Sequence, residues 1–507
     1  MLDLLILKGI SKQIIVASVA SLGYLTIGLI RGYSSSAIPS MSKNDPHLVA
    51  NDYIISWICA IPPLGAFFGS LIAGPLLAHF GRKSTLFLSA PIFVVSWLLI
   101  AFCQNYSILM IGRIMTGFCA GLVTPSAQVY VSECAVPKIR GILGSLPALF
   151  MAFGVLVSYI LGTFMPWNYL AIASALFPLA MFIFLIPLPE SPVWLRNKDR
   201  PAKADQALEW LNQKPHSMKM EVFSVPASDV TEPERKPSQQ PKTVVALPVD
   251  GSKETPNKSV NPYSARILFS KPTMVPFGLS CMILIFQQVS GIDTVIFYTV
   301  MIFSASESSI GDYTATILVG LVQVVATFLS IFFIDRLGRR PLLLVSGVTM
   351  GFSIAALGTY FHLKDQNRAE GLGLLPVVSL IVFTAGFSIG YCNIPFLLLG
   401  ELLPLAQRSL LSSIAGALNL GSMFLIIKTY HNIKDHVGEQ GVFWLYSFFC
   451  FLSCVFVFLF LPETKGRSLE EIENYFHKNT FDITDEKRSV DVSDGKNSAK
   501  QENDHHS

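Results

Sequence analysis

About twelve runs of apolar residues divide this sequence, each close to the roughly 20 residues that a helix needs to cross the hydrocarbon core of a bilayer. Of the 507 residues, 51% are hydrophobic and only 14% are charged, which argues against a soluble globular class. Lipid offers no hydrogen-bond partners to the backbone, so runs of this length predict helices. The predicted spans are Ile14 to Ile30, Ile54 to Leu77, Leu86 to Phe102, Ile108 to Val131, Ile142 to Phe164, Leu170 to Leu188, Val275 to Ile302, Thr316 to Ile334, Leu342 to Phe361, Leu374 to Leu399, Leu410 to Ile427 and Val442 to Leu461.

The basic residues between these spans predict how the chain is oriented. Lys and Arg are retained in short cytoplasmic loops, and one set of loops carries most of them. This set contains Arg82, Lys83, Lys138, Arg140, Arg336, Arg339, Arg340, Arg408, Lys465 and Arg467, whereas Lys43, Lys364, Arg368, Lys428 and Lys434 lie on the opposite side. Both termini are therefore expected in the cytoplasm. The lipid bilayer is the expected partner of these spans. Because the net charge is only +3, no nucleic acid partner is expected.

A polar segment separates six spans from the other six. The apolar pattern stops between Arg196 and Arg266, where Pro, Ser, Lys and Glu dominate. We expect a short amphipathic helix at Ala202 to Leu211 and a disordered linker after it. The predicted domains are an N-terminal six-helix bundle over 1–195, a cytoplasmic linker over 196–268, a C-terminal six-helix bundle over 269–465 and a cytoplasmic tail over 466–507.

The two halves repeat each other. "HFGRKSTLFL" after the second span matches "DRLGRRPLLL" after the eighth, "ECAVPKIRG" matches "ELLPLAQRS", and "PESPVWL" matches "PETKGRSL". These pairs occur in the same order in both halves. Duplicated six-helix halves with a site at their interface are a common plan for transporters.

Each half places a Gly-Arg pair, a Glu seven residues before an Arg, and a Pro-Glu pair at the predicted cytoplasmic surface. Acidic and basic groups of this kind form charge-assisted pairs between helix ends, and such pairs would have to break when the halves rock apart. We interpret these residues as an inner latch that favours a state open to the outside. Its members are Arg82, Glu133, Arg140, Glu190, Asp335, Arg339, Arg340, Glu401, Arg408 and Glu463.

Several of these motifs resemble one family closely. "GYSSSAIPS", "GRIMTGFCAGL", "PESPVWL", "QQVSGIDTVIFYTV", "DRLGRR" and "PETKGRSLEEIE" are similar to the motifs of sugar porters of the major facilitator superfamily, most of all those of insect facilitated trehalose and hexose transporters. The resemblance implies an all-α membrane protein with twelve transmembrane helices in two six-helix pseudo-repeat bundles. It also implies facilitated movement of trehalose or a hexose across the plasma membrane by alternating access. No cofactor or metal is expected, and no catalytic residue, because the sequence offers no nucleotide loop, metal cluster or activated nucleophile.

The resemblance also implies a set of sugar contacts. A sugar needs hydrogen-bond partners for the hydroxyls that lose water, and uncharged amides both donate and accept. The implied substrate site consists of Gln287, Gln288, Asp293, Gln323, Phe396 and Asn419.

Several positions depart from the family pattern. The family usually has Asn where this chain has Asp293, Gln where it has Ala148, and Trp where it has Phe396. In the tenth span Cys392 and Asn393 replace a Gly and a Pro, so we expect that helix to bend less easily. Leu420 stands for a Trp after Asn419, and Ala78 with His79 replaces a charged pair in the second-span motif. Fewer sugar contacts than usual are therefore expected.

Asp293 leaves several functions open. A carboxylate within a span is costly and marks a functional site by default. It could be protonated and donate to a sugar, exchange a proton in each cycle, attract a cationic substrate, or sit hydrated in the central cavity without a role. Ser34 stands where proton-driven relatives generally carry Asp, which favours facilitated diffusion. A transporter with changed cargo or proton coupling, and a transport-poor sugar sensor that signals through its linker or tail, remain alternatives.

Overall fold

The computed structural model describes residues 2–136, 139–211, 270–404, 407–467, 471–472 and 474–476. The regular elements named for these residues are all helical, which agrees with the predicted all-α class. The α-helices are α1 Leu2–Asn44, α2 Asp52–Phe80, α3 Arg82–Ala101, α4 Tyr106–Cys134, α5 Arg140–Phe164, α6 Trp167–Leu185, α7 Pro192–Asn197, α8 Pro201–Trp210, α9 Lys271–Val289, α10 Ile292–Ser306, α11 Asp312–Leu337, α12 Arg339–Asp365, α13 Leu375–Ile389, α14 Ile394–Leu402 and α15 Arg408–Phe460. A single 3-10 turn, Pro46–Leu48, follows α1.

Eleven helical stretches within the described residues are long and apolar enough to cross a membrane. The last of them, Leu410–Phe460, has 51 residues, or about 75 Å at 1.5 Å per residue, whereas a bilayer core is about 30 Å thick. Its backbone leaves helical geometry at Gly438, with φ 74° and ψ 172°. This stretch therefore holds the two final predicted spans, and the prediction of twelve transmembrane helices is confirmed.

The seventh and tenth predicted spans are interrupted helices. α9 gives way to α10 at Gly291, whose φ of +82° lies in the left-handed region that favours glycine, and a Cβ there would lie 2.6 Å from Cγ of Tyr446. α13 gives way to α14 at residues 390–393. The expectation that the tenth helix bends less easily is therefore wrong. Gly390 and Pro395 still weaken the helix there, and the Cys392 N–H bonds to the Phe387 carbonyl at 2.9 Å, outside the helical pattern.

Contacts between helices form two groups that meet along three pairs. In the first half α1 packs on α4, α5 and α6, and α4 packs on α2 and α3. In the second half α15 packs on α9 and α12, and α13 packs on α11 and α12. The two halves touch mainly where α2 meets α15, where α5 meets α11 and where α1 meets α10. These three pairs form most of the described interface between the halves.

The start of the polar segment folds onto the first half. The predicted amphipathic helix corresponds to α8, whose Ala204 and Ala207 are buried against Trp194 and Leu195 of α7. The ammonium of Lys12 lies 5.2 Å from the centre of the Trp210 ring. Residues 212–269, most of the predicted linker, lie outside the described residues. The predicted domain boundaries stay a prediction.

Candidate functional site

An amide cluster lies where the interrupted seventh span meets α15. Gln287 and Gln288 occupy the last turn of α9, just before the break, and Asn419 approaches them from α15. The Asn419 Nδ2 donates to Gln287 Oε1 at 2.9 Å and to the Leu284 carbonyl at 3.0 Å. All three side chains are buried. The structure therefore brings together three of the residues that the family resemblance assigned to a sugar site.

The remaining amide contacts leave one acceptor for a ligand. The Gln287 Nε2 donates to the Tyr391 carbonyl in the break of the tenth span at 2.7 Å, and the Gln288 Nε2 donates to Asn419 Oδ1 at 3.3 Å. The Gln288 Oε1 is buried and makes no hydrogen bond within the described residues. A buried acceptor of this kind can be satisfied by a hydroxyl donor.

Asp293 is paired with a cation from the other half of the molecule. It lies in the first turn of α10, where the positive end of the helix dipole stabilises an anion. One of its oxygens is 2.9 Å from Nη1 of Arg31 on α1. The side chain of Asp293 is 2% exposed and that of Arg31 is 17% exposed. The carboxylate is thus a member of a buried ion pair.

Arg31 is a residue that the sequence reasoning did not select. The available signal was a lone Arg directly after the apolar run Ile14 to Ile30, since a cation at membrane depth generally has a partner there. The pairing itself depends on the register of two helices that are far apart in the chain. The first span holds a second buried polar contact, in which Ser34 accepts a hydrogen bond from the guanidinium of Arg113. Arg113 is fully buried and also donates to the Ile58 carbonyl at 3.2 Å.

The two other predicted site residues make no described hydrogen bond to the amide cluster. Gln323 is buried within α11. Phe396 follows the break in the tenth span and its side chain is 44% exposed, so it is not packed among the buried amides. Asn393, in that break, donates to Ser330 Oγ of α11 at 3.1 Å. Their roles in binding stay predictions.

Hydrogen bonds and ion pairs between the halves lie toward the end where α1 finishes and α2 begins, which we call the outer end. Tyr159 of α5 donates to the Ile296 carbonyl of α10 at 2.9 Å, and the Val300 N–H donates to Ser35 Oγ of α1 at 3.0 Å. Nearer the edge, Lys428 of α15 donates to Ser56 Oγ of α2 at 2.7 Å. The outer end is therefore closed in this structure.

Two aromatic rings of α2 at the outer end form cation–π contacts with Lys428. The Lys428 ammonium lies 4.3 Å from the centre of the Tyr53 ring and 4.6 Å from that of Trp57. His431, one turn further along α15, has Nδ1 3.7 Å from a carboxylate oxygen of Asp52. The Lys428 contacts join α15 to α2 and so connect the two halves, whereas His431 lies near Asp52 without a hydrogen bond between them.

The predicted latch residues form the same structure twice, once in each half. In the first half Arg82 pairs with Glu133 at 2.8 Å, and Glu133 accepts from Ser191. In the second half Arg339 pairs with Glu401 at 2.9 Å, and Thr464 donates to Glu401 at 2.5 Å. These pairs therefore tie helix ends together within one half.

Two carboxylates complete the repeat by capping the N-terminal ends of α3 and α12. Glu190 accepts from the backbone N–H groups of Arg82 and Lys83 at 2.9 and 2.8 Å, at the start of α3. Glu463 accepts from those of Arg339 and Arg340 at 3.1 and 3.0 Å, at the start of α12. Each carboxylate thus satisfies backbone donors that a helix leaves unpaired in its first turn.

The expected latch between the halves is not what these pairs form in this structure. Arg140 and Arg408 occupy equivalent positions, and each donates to a carbonyl five residues earlier, Ala135 and Leu403 respectively. The described partners of the latch residues belong to the same half as the residues themselves. The side chain of Asp335 lies outside the described residues. A latch that forms when the inner end closes stays a prediction.

Burial works to raise the pKa of Glu463, but the backbone N–H groups of Lys465, Arg339 and Arg340 that bond to the carboxylate outweigh it, so the pKa is lowered. A depressed carboxyl pKa stabilises the fold above the pKa of the free group, and this stabilisation is lost as the pH falls through the folded value. The glycines before the two caps fit this geometry. Gly81 and Gly338 have φ of +103° and +94°.

A family model described as "Sugar (and other) transporter" matches residues 16–476. The chain is 36% identical over 468 residues to the facilitated trehalose transporter Tret1 of Apis mellifera ligustica, covering 92% of this chain and 88% of that protein. It is 35% identical over 465 residues to Tret1 of Culex quinquefasciatus, covering 91% of this chain and 85% of that protein. It spans only 55% of Tret1 of Anopheles gambiae, to which it is 34% identical over 463 residues, with 91% of this chain covered.

Solved structures share the fold. The partially occluded inward open conformation of the xylose transporter XylE from E. coli matches with a TM-score of 0.70 at 21% identity, covering 90% of this chain and 100% of that one. The major facilitator proton:xylose symporter XylE bound to 6-bromo-6-deoxy-D-glucose matches with a TM-score of 0.69 at 22% identity, covering 92% and 99%. At this identity the match supports the arrangement of helices.

Gly338→Ala should destabilise the protein. The backbone at Gly338, with φ 94° and ψ 169°, is open almost only to glycine, and a side chain there costs about 1 to 3 kcal/mol. The added Cβ would also lie 3.1 Å from Cδ of Glu463. Thermal unfolding in detergent measures the effect, with Gly278→Ala as the control, because that glycine lies within a helix and a Cβ there meets open space. Equal midpoints for both variants would contradict the strained cap.

Glu463→Gln should lower the unfolding midpoint most at neutral pH. The difference from wild type should shrink as the pH falls below the usual Glu pKa of about 4.3 and onward through the lower folded value, because protonation removes the charge that caps α12. The exposed Glu209→Gln is the matched control and should show no such difference. A midpoint difference that stays constant across this pH range would show that the carboxylate charge does not support the cap.

Proposed function

Because the chain belongs to the sugar transporter family, we propose that it is a facilitative transporter that moves a sugar, trehalose or a hexose, across the plasma membrane. Transport proceeds by alternating access, and the sugar binds between the two halves. Both termini face the cytoplasm, as the distribution of basic loop residues favours. The similarity to facilitated trehalose transporters supports trehalose as the first sugar to test. No chemical step is involved in moving a solute.

The amide cluster is the observation that carries this proposal. Gln287, Gln288 and Asn419 are uncharged, buried and mutually hydrogen-bonded at a break in the seventh span. These amide groups hydrogen-bond one another when the site is empty, and each can also donate to or accept from a sugar hydroxyl. The Gln288 Oε1, which has no hydrogen-bond donor among the described residues, would gain one from a bound sugar. Gln287 and Gln288 lie at this site because α9 ends at Val289, directly after them.

The distribution of contacts supports alternating access. The two halves are joined by hydrogen bonds and ion pairs at the outer end, whereas the charged groups at the opposite end pair within each half. Each half can then move as a unit while its own pairs stay intact. In the opposite state we propose that Glu133 and Arg140 of one half approach Glu401 and Arg408 of the other and form the inner latch.

Purified protein in liposomes should take up labelled trehalose or glucose down its gradient. Uptake is expected to be equal at about pH 5.5 and about pH 7.5, which bracket the range in which an unperturbed histidine titrates. Any uptake by Asp293→Asn should be equally independent of pH, because the proposal assigns no proton transfer to this carboxyl group. Empty liposomes give the background. Absence of flux for every labelled sugar of a panel would contradict the proposed cargo, and strong pH dependence that Asp293→Asn abolishes would favour the proton-coupled alternative.

Gln288→Ala should raise the apparent KM for sugar uptake while the protein still folds. A sugar hydroxyl left without its amide partner costs about 1 to 3 kcal/mol, which raises the apparent KM by about 5- to 150-fold. The control is Ser422→Ala on α15, whose hydroxyl bonds only to the Leu418 carbonyl of its own helix. Initial rates of uptake over a range of sugar concentrations separate KM from the maximal rate. An unchanged KM would remove Gln288 from the site.

A further inference from the structure

Arg31 and Asp293 bring opposite charges into the interface between the halves. Arg31 belongs to α1 of the first half and Asp293 to α10 of the second, with 2.9 Å between their nearest charged atoms. The contacts beside them along the same interface are neutral. Ser35 accepts from the Val300 N–H, and Tyr159 bonds to Ile296 and Thr299 of α10. Among the described side-chain contacts of α1 and α5 with α10, the ion pair is therefore the charged one.

In such an interface, each charge is stabilised in the closed state only when the opposite charge is also present. Removing one partner of a buried ion pair leaves the remaining charge without water and without a counter-ion, whereas replacing both by neutral groups is often harmless. When the outer end opens, α1 must separate from α10 and water enters between them. A single unpaired charge therefore favours the open state, in which it is hydrated.

We propose that Arg31 is a positioning residue of the transport cycle. Its ion pair with Asp293 allows the outer end to close although the Asp293 carboxylate lies in the interface. Either charge alone holds the outer end open. Arg31 also keeps Asp293 neutralised, so that the amide cluster beside it can serve an uncharged sugar. This inference rests on the alternating access proposed above and adds a residue that the sugar site itself does not require.

The test measures closure of the outer end with a cysteine reporter. Ile38 lies seven residues after Arg31, which is two helical turns along the same side of α1, and it is buried. In an Ile38→Cys background we would compare Arg31→Ser, Asp293→Asn, the neutral double variant and the exchanged pair, Arg31→Asp with Asp293→Arg. Full-length protein in liposomes is treated with a membrane-impermeant maleimide. Protein without Ile38→Cys gives the background from the native cysteines, and Ala50→Cys, at an exposed position, is the control reporter.

Each single variant should raise the labelling rate of the reporter by about 5- to 150-fold, the usual range of coupling between two sites. The neutral double variant and the exchanged pair should return to the wild-type rate, and labelling at Ala50→Cys should be the same in all. Asp293→Asn changes almost no volume, so this single variant keeps the packing and decides the outcome if Arg31→Ser fails to fold.

Wild-type labelling rates in the single variants would overturn the inference. So would a neutral double variant that labels as fast as the single variants, because the charges would then not depend on each other. Labelling does not require sugar movement, so the two proposals can fail separately. The expected labelling without any sugar flux would support the proposed role of the ion pair and contradict the proposed cargo. Sugar flux with labelling that does not respond to the variants would contradict only the role of Arg31.

Discussion

A polar group inside a membrane-spanning fold has to find its partner within the protein, and the rest of this structure depends on that requirement. Backbone groups meet it by forming helices, and where a helix is interrupted another group takes over. The Tyr391 carbonyl, freed by the break in the tenth span, accepts from Gln287. The buried guanidinium of Arg113 is held by a hydroxyl and a carbonyl. Gln287 and the Arg31–Asp293 pair lie where helices end or the halves meet, which are also the places where a transporter binds and moves.

The two kinds of polar contact divide the molecule into parts that stay together and parts that separate. Within each half, an Arg, a Glu and a capping carboxylate join the ends of several helices, and the second half repeats the arrangement of the first. Such networks join helix ends within each half. Between the halves, the described hydrogen bonds lie toward the outer end. Rigid halves joined at one end are what a rocking movement about a central site requires.

The sequence predicts the parts of this fold that depend on composition and short spacing. The spans follow from apolar runs, and the repeat follows from matched motifs, so the class of fold and the position of Gln287 and Gln288 before a glycine were accessible. The prediction of a less bent tenth span is wrong, because Gly390 and Pro395 lie at the interruption even though Cys392 and Asn393 replace a Gly and a Pro. Partners could not be assigned, since they depend on helix register in three dimensions. For that reason the latch residues were expected to pair across the halves, whereas the described pairs lie within them.

Asp293 shows how such a partner changes the meaning of a residue. Taken alone, a carboxylate within a span suggests a proton carrier or a site for a cation, because either would neutralise it. Arg31 supplies that neutralisation from within the chain, and it does so from the opposite half. A transported proton or cation would therefore have to compete with a guanidinium 2.9 Å away whenever the outer end is closed. The pair thus favours an uncharged cargo at the neighbouring amides. It also makes closure of the outer end depend on a match of charge between the two halves, which neutral residues at both positions would not require.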